Sequence, residues 1–196
     1  NQTMEKNYNH QNTEQRLYQM WEKGGYFRPK IKSKKPFSII MPPPNANGSL
    51  HIGHAMFITV EDILIRYHRM LGESTLWLPG ADHAGILTQV VFEKQLAKKG
   101  LSRFDLGREE FYRQCYKFSQ QNKTVMYQQI KRLGASCDWT REKFTLDPGI
   151  EKTIVKTFQK LLDDGLIYQG ELIINWCVRC STALSDLEVE YEERKD

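Results

Sequence analysis

The sequence is short of everything that marks a membrane, secreted or fibrous protein. No stretch of its 196 residues approaches 18 consecutive apolar positions, which excludes an ordinary membrane-spanning helix. Only four cysteines occur, Cys115 and Cys137 singly and Cys177 and Cys180 as a Cys-x-x-Cys pair. That is too few for a secreted disulfide framework and points to a reducing compartment. The opening Asn1-Gln2-Thr3-Met4-Glu5-Lys6 has neither the apolar core of a signal peptide nor the Arg-rich helix of a transit peptide, so a cytoplasmic location is expected. Because position 1 is not Met, the chain is expected to be processed, to start on a tag remnant, or to be a fragment. Internal repeats and low-complexity tracts are absent. Charge of one sign is also scarce: 28 Lys and Arg against 24 Asp and Glu leave +4, compatible with a nucleic acid or nucleotide partner but ordinary for a soluble enzyme. What is present, 40% hydrophobic and 27% charged residues, suffices for a globular core.

Along the chain, Leu17, Met20 and Trp21 stand at helical spacing before Gly24-Gly25, and Lys30 to Pro36 reads as a basic linker. Phe37 to Met41 is an apolar run stopped by Pro42-Pro43-Pro44, the pattern of a buried strand. From Ile52 to Leu71, the residues Ile52, Met56, Val60, Ile63, Leu64, Tyr67 and Leu71 recur at steps of three and four and predict a helix with one apolar face, closed by Gly72. Ser74 to Leu78 predicts a second buried strand, ended by Pro79-Gly80. Strand, helix and strand imply a parallel pair and an α/β class. Further helices are expected at 87–99, 108–133 and 150–162, the last leading through Leu172 to Trp176 into the cysteine pair.

Ligands of an open α/β sheet sit beyond the carboxyl ends of its strands. After the first strand comes Gly48-Ser49-Leu50-His51-Ile52-Gly53-His54, with two histidines on the first turn of a helix, whose unpaired N–H groups favour phosphate. After the second comes Pro79-Gly80-Ala81-Asp82-His83-Ala84-Gly85, a carboxylate and a third histidine among glycines. A histidine pair alone equally fits surface polar residues or half of a metal site; its place at the opening of a βαβ helix favours nucleotide chemistry.

His51-Ile52-Gly53-His54 resembles the HIGH signature of class I aminoacyl-tRNA synthetases. Pro42-Pro43-Pro44-Asn45, Asp62 to Met70, Leu76 to Ile86, Thr88-Gln89, Leu133 to Ser136, Asp138-Trp139, Asn175-Trp176-Cys177 and Ser185 to Glu190 extend the likeness from about Tyr8 to Glu192 and to the valyl branch in particular. An isoleucyl relative would carry a Trp-Asp-Thr-His-Gly type sequence near position 82. The resemblance implies ATP-dependent ligation of L-valine to tRNA(Val) through a valyl-adenylate, with ATP and Mg2+. It implies His51 and His54 as donors to the phosphates, Gly48 and Gly53 as the close-approach positions of the ATP site, with Gly53 leaving room for adenine, and Asp82 as holder of the valine ammonium. Pro42, Pro43 and Asn45 would shape the side-chain pocket, His83 would join the amino-acid site, and Thr88 and Gln89 its rim.

Against the family pattern, Ala46-Asn47 replaces the common Val-Thr, Glu61 a frequent Gln, and Leu87 a small residue, so that Leu87 either narrows the site or packs into the sheet. Cys177 and Cys180 form half of a zinc knuckle; a full Zn2+ site needs four ligands, and neither Cys115 nor Cys137 is expected to complete it. The second class I signature, Lys-Met-Ser-Lys-Ser, is absent, and Lys32-Ser33-Lys34 reads as solvated linker. The implied architecture is an N-terminal helical extension and linker (1–35), the first half of a Rossmann-type catalytic domain (36–145) and the start of the connective editing insertion (146–196). Full activity is expected to require the remainder of the synthetase chain. A small nucleotidyltransferase and a non-catalytic tRNA- or partner-binding module stand as alternatives.

Overall fold

A computed structural model describes residues 7–30 and 35–193. The basic stretch at 31–34, with Lys32, Ser33 and Lys34, lies outside the described residues, as do 1–6 and 194–196. The chain divides into two compact units, 1–152 and 153–196.

The first unit is built on two parallel crossovers. β1 (Pro36–Ile40) pairs in parallel with β2 (Ser74–Leu78), Pro36 opposite Ser74 and Ile40 opposite Leu78, across α2 (Ile52–Met70). The chain then straightens past Pro79 into β3 (Gly80–Ala81) and returns through α3 (Gly85–Ala97), α4 (Arg103–Leu106) and α5 (Arg108–Arg132) to β4 (Lys143–Phe144), which lies parallel to β3. Trp77 O accepts the Asp138 N–H at 3.0 Å, and Leu78 O accepts Met41 N–H at 3.0 Å. Successive carbonyls of a strand point to opposite edges, so 138–145 flanks the β2–β3 line on the side away from β1. At Gly80 a Cβ would stand 3.1 Å from the Lys143 carbonyl, so glycine is what lets these backbones close.

The core joins the strands to α2 and α5 through Met41, Trp77, Phe144, Ile58, Ile65, Met126, Ile130 and Cys137, and burial raises the Cys137 thiol pKa far above its ordinary value. The predicted apolar face of α2 is not the buried one. Ile52, Met56, Val60, Ile63, Leu64, Tyr67 and Leu71 are all exposed. The helix instead turns Ile58 and Ile65 inward, flanked by polar side chains that find partners. Asp62 Oδ1 accepts from Ser136 N–H and Oγ (3.0 and 2.6 Å), Arg66 donates to Gly134 O at 2.7 Å, and Arg69 donates to Ser136 Oγ and O. Charge-assisted bonds to the 134–136 turn therefore decide the helix's rotation, and hydropathy alone does not see them.

α1 (His10–Lys23) ends at Gly24 and turns through Gly25 at φ +68°. It is held to a distant part of the chain: Tyr18 donates to Ala135 O at 2.7 Å and accepts from the Trp139 indole at 2.6 Å, and Glu22 pairs with Lys131 at 2.8 Å.

α6 (Pro148–Asp163) starts in the first unit and continues into the second, which goes on to an antiparallel hairpin of β5 (Trp176–Cys177) and β6 (Thr182–Ala183). The run from Leu172 to Asn175 forms no strand, and Leu172 and Ile173 are fully open to solvent. None of the described residues of this unit is buried. Among the described residues no helix is long and apolar enough to cross a membrane.

Candidate functional site

Both segments singled out by sequence open at the carboxyl end of the β1–β2 pair. They are laced together: Asp82 N–H donates to Pro44 O at 2.9 Å, Ala46 N–H donates to Asp82 O at 2.7 Å, and Asn45 forms a parallel bridge with Asp82. Pro44 and Ala46 are buried by this lacing, while Pro42, Pro43 and Asn45 stay exposed. The Ala46 departure is thus a small core residue rather than a pocket residue.

His51 is the N-cap of α2, in extended backbone at φ −119° and ψ 176°. Its Nδ1 accepts the Gly53 N–H at 3.1 Å, and its own N–H donates to His54 Nδ1 at 3.2 Å. Each ring therefore spends its Nδ1 lone pair on backbone, which fixes both histidines as the tautomer protonated on Nε2. The rings lie 3.9 Å apart at 53°. Burial, and then the neighbouring His51, lower the His54 pKa and so favour the neutral ring. Two neutral Nε2–H donors at a helix N-terminus form a site for phosphate oxygens. Gly53 serves the pair directly, since a Cβ there would come within 3.0 Å of His51 Cε1. At Gly48 a Cβ would meet no protein atom, so the space above it is open.

The Asp82 loop is held more tightly. Ala84, at φ +55°, and Gly85, at φ +41°, open α3 in the left-handed region, costly for alanine and maintained only where neighbours enforce it. Ala84 N–H donates to Asp82 Oδ1 at 3.1 Å. Thr88 is buried and donates to His83 O at 2.6 Å, so its hydroxyl braces the loop, while Gln89 is exposed. Leu87 is 53% exposed and is therefore not packed into the core of the sheet.

Two residues missed by sequence reasoning support these segments. Gln129 on α5 accepts the Leu50 N–H at 2.9 Å and steadies the turn into His51. Thr145, just past β4, contacts both Asp82 and His83. No motif marks either; the only signal for Thr145 is strand register, which a two-residue strand hides. Glu61, on α2, accepts from the enclosed Trp77 indole at 2.8 Å, and burial raises its carboxyl pKa.

In the second unit, Cys177 and Cys180 close the hairpin turn. Cys180 N–H donates to Cys177 Sγ at 3.4 Å, and such donors lower the Cys177 thiol pKa. Among the described residues no group of three or more His, Cys, Asp and Glu is placed to hold a metal.

The profile of the class I tRNA synthetases (I, L, M and V) matches residues 16–196. A valine-tRNA ligase of Dehalococcoides mccartyi (strain ATCC BAA-2266 / KCTC 15142 / 195) is 56% identical over 97% of this chain and 22% of its own length. The chloroplastic/mitochondrial valine-tRNA ligase 2 of Arabidopsis thaliana is 55% identical over 92% of this chain and 19% of its own. The chain thus spans about a fifth of the length of the curated relatives it matches. In solved structures, the LeuRS in its ternary LeuRS-tRNA-LeuAMS complex, from Agrobacterium radiobacter K84, superposes with a TM-score of 0.76 at 25% identity, over 92% of this chain and 21% of that one. With the family profile covering nearly its whole length and the fold shared with a solved synthetase, the chain belongs to the class I tRNA synthetases of the isoleucyl, leucyl, methionyl and valyl group.

Proposed function

We propose that this chain supplies the nucleotide- and amino-acid-binding half of the active site of a valine-tRNA ligase, and that full activity needs the remainder of the synthetase chain. The observation that carries this reading is the pair of imidazoles pinned through Nδ1, His51 and His54, beside a loop that offers a single carboxylate.

In the first step a carboxylate oxygen of valine attacks the α-phosphorus of ATP, the bond to the bridging oxygen breaks, and pyrophosphate leaves. Such a transfer needs in-line placement and donors aimed where negative charge gathers. Neutral Nε2–H groups on His51 and His54 meet that need without surrendering a proton, and the α2 N-terminus adds its dipole. Gly48 and Gly53 bring backbone close to the nucleotide, and Mg2+ accompanies the ATP phosphates. Asp82 receives the valine ammonium, with His83 beside it. Pro42, Pro43 and Asn45 form the wall met by the valine side chain, and Thr88 and Gln89 stand at the rim, Thr88 through the loop it braces. A ribose hydroxyl of tRNA(Val) then takes the acyl group and AMP departs.

Residues 36–145 are assigned to the first half of the catalytic domain, 1–35 to an N-terminal extension and 146–196 to the start of the connective insertion, in a cytoplasmic protein. Cys177 and Cys180 fit half of a tetrahedral Zn2+ set, so such a site would draw two further ligands from elsewhere in the longer chain, and its contribution would be structural. The test is His54→Ala in the full-length protein. Valine-dependent ATP–pyrophosphate exchange should fall about 100-fold in kcat while KM for valine stays within about threefold. An unchanged rate overturns the assignment.

A further inference from the structure

Thr145 lies 62 residues from His83 in sequence and directly beside it in space. The parallel register that sets Gly80 opposite Lys143 and Ala81 opposite Phe144 carries one step further: Thr145 N–H donates to Ala81 O at 3.2 Å, which brings Thr145 level with Asp82. Its hydroxyl oxygen then meets three groups. The His83 N–H donates to it at 2.9 Å, His83 Nδ1 lies at 2.6 Å and Asp82 Oδ1 at 3.1 Å.

A hydroxyl has one proton and two lone pairs, and one arrangement satisfies all three neighbours. The O–H donates to Asp82 Oδ1, which as a carboxylate can only accept, and the lone pairs accept from the His83 N–H and from a protonated His83 Nδ1. The reverse assignment would leave the Thr145 and Asp82 oxygens facing each other without a proton. Two consequences follow. Asp82 Oδ1 is occupied by Thr145 and Ala84, leaving Oδ2 without a partner among the described residues, on a side chain 36% exposed. His83 is set as the Nδ1–H tautomer, so its Nε2 carries a lone pair, opposite to the tautomer imposed on His51 and His54. The loop therefore presents two acceptors, Asp82 Oδ2 and His83 Nε2, to a ligand whose recognised end is all donors.

We propose that Thr145 is a positioning residue of the amino-acid site, whose hydroxyl orients Asp82 and fixes the His83 tautomer so that together they accept the substrate ammonium. This rests on the reading of Asp82 as the ammonium site. A threonine methyl packed at a strand end would do neither, so the hydroxyl is what the test removes.

In the full-length protein, Thr145→Val keeps the shape and deletes the hydroxyl, and Thr145→Ser keeps the hydroxyl and deletes the methyl. In valine-dependent ATP–pyrophosphate exchange, Thr145→Val should raise KM for valine about tenfold, leaving KM for ATP within about twofold, and Thr145→Ser should restore most of the loss. On an Asp82→Asn background, Thr145→Val should add little. An unchanged KM for valine in Thr145→Val, an equal rise in KM for ATP, or a Thr145→Ser variant as impaired as Thr145→Val would each overturn the role. If Asp82→Asn itself leaves KM for valine unmoved, the ammonium assignment fails; if it raises KM while Thr145→Val does not, that assignment stands and the role of Thr145 falls.

Discussion

Replacing Gly53 by alanine separates what a glycine does for a helix from what it does for a neighbouring ring. The new Cβ would stand 3.0 Å from His51 Cε1 and 3.1 Å from Nδ1, well inside the usual 3.5–4.0 Å contact range, roughly. The ring has to move by about half an ångström, and the 3.1 Å bond from Gly53 N–H to Nδ1 lengthens with it. Losing that bond costs about 0.5–1.5 kcal/mol of stability. Alanine is the better helix former by about 1 kcal/mol in a helix interior, and by less in the first turn, so the two effects nearly cancel. Stability should stay within about 1 kcal/mol of the parent. Function should not, because removal of one donor to a charge developing in the transition state is worth about 10²- to 10³-fold, and a displaced imidazole keeps part of that. ATP–pyrophosphate exchange should therefore drop about 10- to 100-fold with Tm almost unmoved. Exchange within about twofold of the parent would refute the argument that the bare Cα at 53 exists to seat the His51 ring.

Glu61→Gln should raise Tm at neutral pH and lose that advantage in acid. Burial raises the Glu61 pKa above its ordinary 4.5, so the folded state binds the proton more tightly than the unfolded one, and stability falls as pH rises from the ordinary value through the raised one. Glutamine cannot ionise and still accepts from the Trp77 indole; a Tm difference that is flat from about pH 4 to pH 8 would sink this reading. Asp62→Ala strands the buried Ser136 N–H and an arginine partner, and should cost about 3 kcal/mol in urea unfolding followed by tryptophan emission. A loss under about 1 kcal/mol would show that α2 is held by apolar packing alone.

How much of this was legible in the sequence depended on how many residues carried each signal. β1, α2 and β2 could be read because short stretches rich in apolar residues and a nineteen-residue helix are punctuated by prolines and Gly72, but the burial expected of β1 is not found, since no residue of Pro36–Ile40 is buried. Their parallel pairing followed from the order alone. The rotation of α2 was not legible: Ile63, Leu64 and Tyr67 advertise a core face, and the contacts of Asp62, Arg66 and Arg69 with residues 134–136 overrule them from about 70 positions away. Of the site, the residues on the two loops were readable because each lies within a motif, yet the lacing of Pro44 and Ala46 to Asp82 was not. β4 is two residues long, too short for any period, which is why Thr145 stayed invisible.

The docking of α1 bears on the order in which the chain can fold as it is made. Tyr18 reaches an acceptor 117 positions further along and takes the Trp139 indole in the same stretch, where Glu22 of the same helix also finds Lys131. At translation speeds of about 5–20 residues per second, roughly 6 to 23 seconds separate the synthesis of Tyr18 from that of Ala135. The β1–α2–β2 crossover, whose partners are close in sequence, can form within that interval. α1 therefore gains these anchors only after the crossover that follows it, and a nascent-chain protease assay should find it cleavable until residues 131–139 have emerged.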